Sequence, residues 1–226
     1  MAVNAPYSEG RVEECQYVAA IESERRLKSA LKSAWGIVDG ESFEDISGWL
    51  LHEGHRYYFD MVAERAIAMN KNPTIERMNE DVEYFSKLEN SEGLVEYYEK
   101  LITLLESDIL RRLQLPPVKS IMAWDMARLI GITLNALALE YVDEDKAWES
   151  CSTALSMTRY HYSNWKEFAD AFLFGRAFWF DFDDETMPEI YGELKNRSKI
   201  TIKCFMIPIL FGLAIPCIIN NTQGQI

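Results

Sequence analysis

Apolar residues recur along this chain at three- and four-residue intervals, and that period predicts helices almost throughout. Over 12–35, Cys15, Val18, Ala19, Leu27, Ala30, Leu31 and Ala34 fall on one face, and Gly36 follows where a helix would stop. Ser42 with Asp45 reads as a capping pair before Ile46, Trp49 and Leu50, with Gly54 as the next stop. A helix over 55–69 runs into the turn-rich Asn70-Lys71-Asn72-Pro73, and another begins after Pro73 with Ile75, Met78, Val82 and Phe85. From 94 to 113, Leu94, Tyr98, Leu101, Leu105, Ile109 and Leu113 trace one stripe, which Pro116-Pro117 ends. Residues 118–139 are apolar on most faces, as in a helix buried by its neighbours. Asp143 is placed to cap a helix over 144–158, and Ser163 one over 164–180. No stretch alternates with period two. The expectation is therefore all-α: a single compact multi-helix domain of about eight helices over 1–203, followed by an apolar uncharged tail over 204–226.

Charge divides the chain in the same place. Its 226 residues hold 23 Lys and Arg against 36 Asp and Glu, a formal −13, and every Asp, Glu, Lys, Arg and His lies before residue 204. An apolar content of 48% is too high for wholesale disorder, and no cluster of Lys and Arg is present to neutralise a phosphate backbone, so nucleic acid is excluded as a partner. The run 204–219 is uncharged. As a helix it would reach about 24 Å, short of the roughly 30 Å hydrocarbon core, and it contains Pro208, Gly212 and Pro216. Arg197, Lys199 and Lys203 precede it, which would keep the body on the cytoplasmic side of a membrane anchored through 204–219. The first residues are polar and acidic without a signal-peptide pattern, so the expected location is cytoplasmic, with the cytoplasmic face of an inner membrane as the alternative. Cys15, Cys151, Cys204 and Cys217 show no CxxC spacing and read as buried free thiols.

Candidate chemistry is sparse. His52-Glu53-Gly54-His55 spaces its histidines three apart with a glycine between, whereas zinc-protease histidines sit four apart on one helical face; a structural or surface role is preferred. The acidic run Asp181-Phe182-Asp183-Asp184-Glu185 lacks the ligand order of a calcium loop and reads as a solvated turn, so no metal is expected. More informative are two arginines near carboxylates and tryptophans. Trp124 and Arg128 lie four apart on one helical face with Asp125 three before Arg128. Arg176 stands in an apolar helix with Phe172, Phe174, Phe178 and Trp179, where it must snorkel or meet a carboxylate, and Asp125 is the first partner to name. Asp125, Arg128, Arg176, Trp124 and Trp179, with His55 and Glu53, are thus either an ion-pair network that fixes helix register or the lining of an anion pocket. No glycine-rich phosphate loop, serine-nucleophile elbow or based cysteine is present, so no catalytic residue and no cofactor is assigned.

Several blocks together carry a resemblance: Trp35-Gly36-Ile37, Leu50-Leu51 through Gly54-His55-Arg56, Ala123-Trp124-Asp125 with Arg128, Glu144 with Ala147-Trp148, and Trp165 with Gly175-Arg176-Ala177-Phe178-Trp179. Their order over roughly 27–182 resembles the YbeU/YbeR-like bacterial family, an uncharacterised group of DUF1266 type. The resemblance implies a bacterial source and a mostly helical domain, and it supplies no reaction, cofactor or catalytic residue. The chain departs from the family pattern at Ile130-Gly131-Ile132-Thr133-Leu134, at Leu139-Glu140-Tyr141 and in its tail. The preferred expectation is a non-enzymatic protein-interaction module, a regulator or antagonist of a basic partner, since a strong single-sign field steers an oppositely charged protein. The alternatives are an enzyme or small-ligand binder using the Arg/Asp/aromatic residues, and a tail-anchored membrane protein.

Overall fold

The stripe that begins at Leu94 becomes the helix from which one half of the core is built. In the computed structural model, which describes residues 24–89, 91–180 and 190–196, Leu94, Tyr98, Leu101, Ile102, Leu104 and Leu105 are all buried on the same side of Ser91–Glu106. Nine helices are present among the described residues: α1 Glu24–Trp35, α2 Gly40–His52, α3 Arg56–Lys71, α4 Ile75–Ser86, α5 Ser91–Glu106, α6 Asp108–Leu113, α7 Met122–Ala138, α8 Glu144–His161 and α9 Trp165–Trp179. Residues 190–196 are helical as well, and no strand occurs among the described residues. The fold is all-α.

Local chemistry sets most helix ends. Thr74 caps α4 by accepting from the Arg77 amide, and Asp143 caps α8 by accepting from Lys146. Two caps fall elsewhere than the sequence suggested. The pair that opens α2 is Asp39 with Ser42: the Ser42 amide donates to Asp39, while the Val38 and Asp39 amides donate to the Ser42 hydroxyl. At α9 the cap is Asn164 rather than Ser163, because the Asn164 side chain accepts from the Glu167 amide and the Glu167 carboxylate accepts from the Ser163 amide. The long stripe also breaks in two. Ser107, extended at φ −70° and ψ 150°, separates α5 from α6, and Gln114 in the left-handed region ends α6.

By chain contacts the protein groups into two units. Among described residues the first comprises 24–52 and 126–169, and the second comprises 53–125, 170–180 and 190–196, so the chain passes from one to the other within α7 and within α9. In the second unit α3 packs along α5, and α4 lies against both. Phe59 of α3 meets Phe174 and Phe178 of α9 edge-on at 5.9 and 5.1 Å, Tyr97 of α5 lies 5.2 Å from Phe178, and Phe85 of α4 lies 5.3 Å from Tyr98. Each fully buried ring of this kind contributes about 1.5–3 kcal/mol. In the first unit Leu27 and Leu31 of α1, Ile37, Phe43 and Leu50 of α2, Ala154 of α8 and Phe168 of α9 are buried, and Tyr162 and Trp165 stand edge-on to Phe168.

The tail at 204–219, the acidic run at 181–185 and Cys15, Cys204 and Cys217 lie outside the described residues. Among the described residues no helix is long and apolar enough to cross a membrane.

Candidate functional site

Asp125 sits in the first turn of α7, and the second unit closes around it. Its side chain is fully buried. Oδ1 accepts from the His55 amide at 3.3 Å, and Oδ2 accepts from the Arg56 amide and from Arg56 Nη1, each at 3.1 Å. The two amides are available because they open the first turn of α3, where helix N–H groups lack intrahelical acceptors and a negative charge is favoured. Gly54 makes the approach possible. It adopts φ +61°, and a Cβ placed there would fall 2.2 Å from Asp125 Oδ2, so any side chain would both strain the backbone and expel the carboxylate.

Around this pair lies an aromatic group. The His55 ring is stacked 5.3 Å from Trp124 and tilted 4.5 Å from Trp179, Trp124 and Trp179 are 5.4 Å apart, and His55 Nδ1 is 3.2 Å from the Tyr97 hydroxyl. Trp124 is buried, whereas Trp179 is half exposed. The structure thus brings Asp125, Trp124, Trp179 and His55 together. Glu53 and His52 are exposed at the turn between α2 and α3.

Arg176 departs from the pairing expected of it. Arg176 does meet a carboxylate, but it is Glu193 rather than Asp125: Nε and Nη2 both donate to Glu193 Oε1, at 3.0 and 2.8 Å, with the guanidinium 4.7 Å from the Phe180 ring. Residue 193 comes back to α9 on the helical segment 190–196, and nothing in the periodicity of α9 could announce that. Arg128 belongs to the first unit, where its guanidinium lies over the Trp35 ring at 5.1 Å. Asp125 pairs with Arg56, a residue whose charge could have drawn notice, since a single arginine heads an α3 face that is otherwise buried at Phe59, Ala63 and Ala66.

One turn further along α3 is a carboxyl that sequence reasoning missed. Asp60 Oδ2 accepts from the Ser120 hydroxyl at 2.9 Å, and the same hydroxyl oxygen accepts from the Met122 amide as a cap for α7. Crowding by surrounding protein pushes the Asp60 carboxyl up to about 7, against the Ser120 hydrogen bond and the Arg56 charge, which both lower it. Asp60 is nonetheless exposed by area, so water reaches it and screens part of the effect. A second buried carboxylate, Asp81, accepts from the Tyr98 hydroxyl at 2.8 Å and pairs with Arg65, whose guanidinium lies over Tyr84; burial, first, and then the Asp81 carboxylate push the Tyr98 phenol upward.

The first unit carries a site of another kind. Between 38 and 51 and between 138 and 149 stand Asp39, Glu41, Glu44, Asp45, Glu140, Asp143, Glu144, Asp145 and Glu149, all exposed, against one cation, Lys146. Lys146 Nζ joins the two stretches, lying 2.9 Å from Glu44 and 3.3 Å from Glu149. The Gly40 backbone also approaches so near that a Cβ there would fall 2.7 Å from the Tyr141 carbonyl oxygen. Residues a hundred positions apart therefore meet along an acidic edge, where Lys28 of α1 also lies near enough to Tyr141 to interact with it. Cys151, further along α8, is half-buried and unbonded to another cysteine, and burial pushes its thiol up, away from nucleophilic reactivity.

Among the described residues this is an all-α protein in which the buried carboxylates Asp81 and Asp125 are paired with arginines. The chain belongs to the family described as "Protein of unknown function (DUF1266)", which matches residues 30–201, from the middle of α1 through the segment 190–196. The match is to that family as a whole and does not carry the YbeU/YbeR name. No curated protein and no solved structure matches the chain.

Proposed function

We propose that the protein is a helical interaction module that binds a basic protein partner, in the manner of a regulator or antagonist. The observation that supports this reading is the acidic edge of the first unit: nine exposed carboxylates over 39–45 and 140–149, two stretches whose one cation, Lys146, is itself engaged by two of them. Fields of one sign over such an edge raise association rates with a cationic protein and repel nucleic acid and other acidic proteins. A pocket built on Asp125 has less to recommend it, since that carboxylate already accepts three N–H donors and Arg176 is held by Glu193. The test is affinity capture from native cells with the full chain, read by the isoelectric points of retained proteins and their elution with salt. Basic proteins eluting below about 0.5 M salt are expected, because ion pairs at an exposed rim are screened over that range. The same chain with Asp39, Glu41, Glu44 and Asp45 changed to Asn or Gln should lose them. Retention of the same partner by the neutralised chain, or of acidic partners only, would sink the reading.

A further inference from the structure

Within the acidic edge one residue is out of keeping with a solvated surface. Trp148 of α8 is 70% exposed, a large apolar ring set among carboxylates. At helical spacing Cys151 and Leu155 continue from it, both half-buried, so the outer face of α8 bears a short apolar stripe headed by an indole. Glu144 and Asp145 lie four and three residues before Trp148, which places their carboxylates on the same side of the helix as the ring, and Glu149 follows it directly. None of these three acids is needed to cap the helix, because Asp143 does that.

We infer that Trp148 is the anchor of a docking surface for a basic segment of a partner protein, with an arginine or lysine laid on the indole face and ion-paired to Glu144 and Asp145. This rests on the reading that the protein binds a basic partner, and it names where and by what chemistry. Charge decides the occupant. The indole is the strongest of the aromatic rings for a cation, and a guanidinium can stack on it while its N–H groups reach flanking carboxylates. A second copy of this chain would set one acidic edge against another, and an anionic bilayer would be repelled. Of the chain's own segments the run 204–219 is uncharged, while the basic Arg197, Lys199 and Lys203 before it are the internal competitor. Tighter peptide binding by a chain with these three changed to Glu would assign the face to them and overturn the partner. Tryptophan at the centre of a charged rim is also the arrangement in which single residues dominate interface affinity.

The test uses the full-length protein and a fluorescein-labelled nona-arginine peptide as probe, with binding read by anisotropy at about 50 mM salt. Trp148→Ala is expected to weaken binding about two- to five-fold, the range that a cation–π contact at an exposed site provides, and Trp148→Phe less. Glu144→Lys with Asp145→Lys should weaken it further, whereas Glu76→Lys with Glu80→Lys, exposed on α4 of the other unit, should leave it nearly unchanged. Far-UV circular dichroism of each variant confirms the fold, and a side chain as exposed as Trp148 can be truncated without opening the core. If Trp148→Ala binds like the wild type while Glu144→Lys with Asp145→Lys does not, the acidic reading survives and the anchor is overturned. If the α4 reversals weaken binding equally, the site is overturned in favour of diffuse attraction. If the wild type fails to bind the peptide at all, the interaction reading falls together with the inference. Sedimentation showing a dimer that Trp148→Ala dissolves would assign the face to a second copy and overturn the basic-segment assignment.

Discussion

Removing the Asp125 carboxylate should be among the most damaging single changes available in this chain. Asp125→Ala takes from a guanidinium only 7% exposed, and from the backbone amides of His55 and Arg56, the acceptor they share. Breaking a buried ion pair from one side typically destabilises by about 3–5 kcal/mol, because the remaining charge stays desolvated. Against a total of about 5–15 kcal/mol for a natural protein, that is about a fifth or more of the whole. With a urea slope of about 2 kcal/mol per molar, the midpoint should fall by about 2 M. Arg56→Met should also destabilise. The double change, Asp125→Ala with Arg56→Met, should be milder than the two single losses added together, with a coupling of about 2–3 kcal/mol, since neither charge of the pair then remains. Equilibrium urea unfolding followed by both far-UV circular dichroism and tryptophan fluorescence measures this. Raising salt from 0.05 to 0.5 M should not shrink the loss, because a pair without water around it is scarcely screened. A loss below about 1 kcal/mol for Asp125→Ala, or strict additivity in the cycle, would refute the account of a closed pair.

Two further changes test neighbouring groups. Asp60 has a folded-state carboxyl raised from 3.8 to about 7, so between those values the folded protein holds a proton that the unfolded chain has released, and stability falls as pH rises through that window. Asp60→Asn should flatten the fall seen in urea midpoints between pH 4 and 8; an unchanged profile would mean that water at the exposed side chain cancels the crowding. Tyr98→Phe removes a hydroxyl buried against Asp81 while leaving Arg65 in place, and thermal or urea unfolding should register a loss of about 1.5–3 kcal/mol, the usual worth of a hydrogen bond to a charged acceptor.

The amino-acid sequence by itself determined the helices of this protein and most of their limits. That is so because periodicity, caps and stops act between residues fewer than five apart: the Leu94 stripe, Thr74 and Asp143 as caps, and Gly36 and Gly54 with their positive φ are local facts. Even the caps that moved, to Asp39 and Asn164, moved by no more than one turn, between side chains of similar chemistry. It also gathered Asp125, Trp124, Trp179 and His55 into one candidate group, because each stood out as a polar or indole-bearing residue in an apolar helix or at a glycine-marked turn. Only the tertiary structure decided who meets whom. Arg176 takes Glu193 and Asp125 takes Arg56, 69 residues away, because ion pairing follows the crossing of helices and not the spacing within one. The formal −13 was legible at once, but its gathering into an edge was not. Residues 39–45 and 140–149 become neighbours through one lysine bridge and one glycine close enough to a carbonyl, and no local rule places those two stretches side by side.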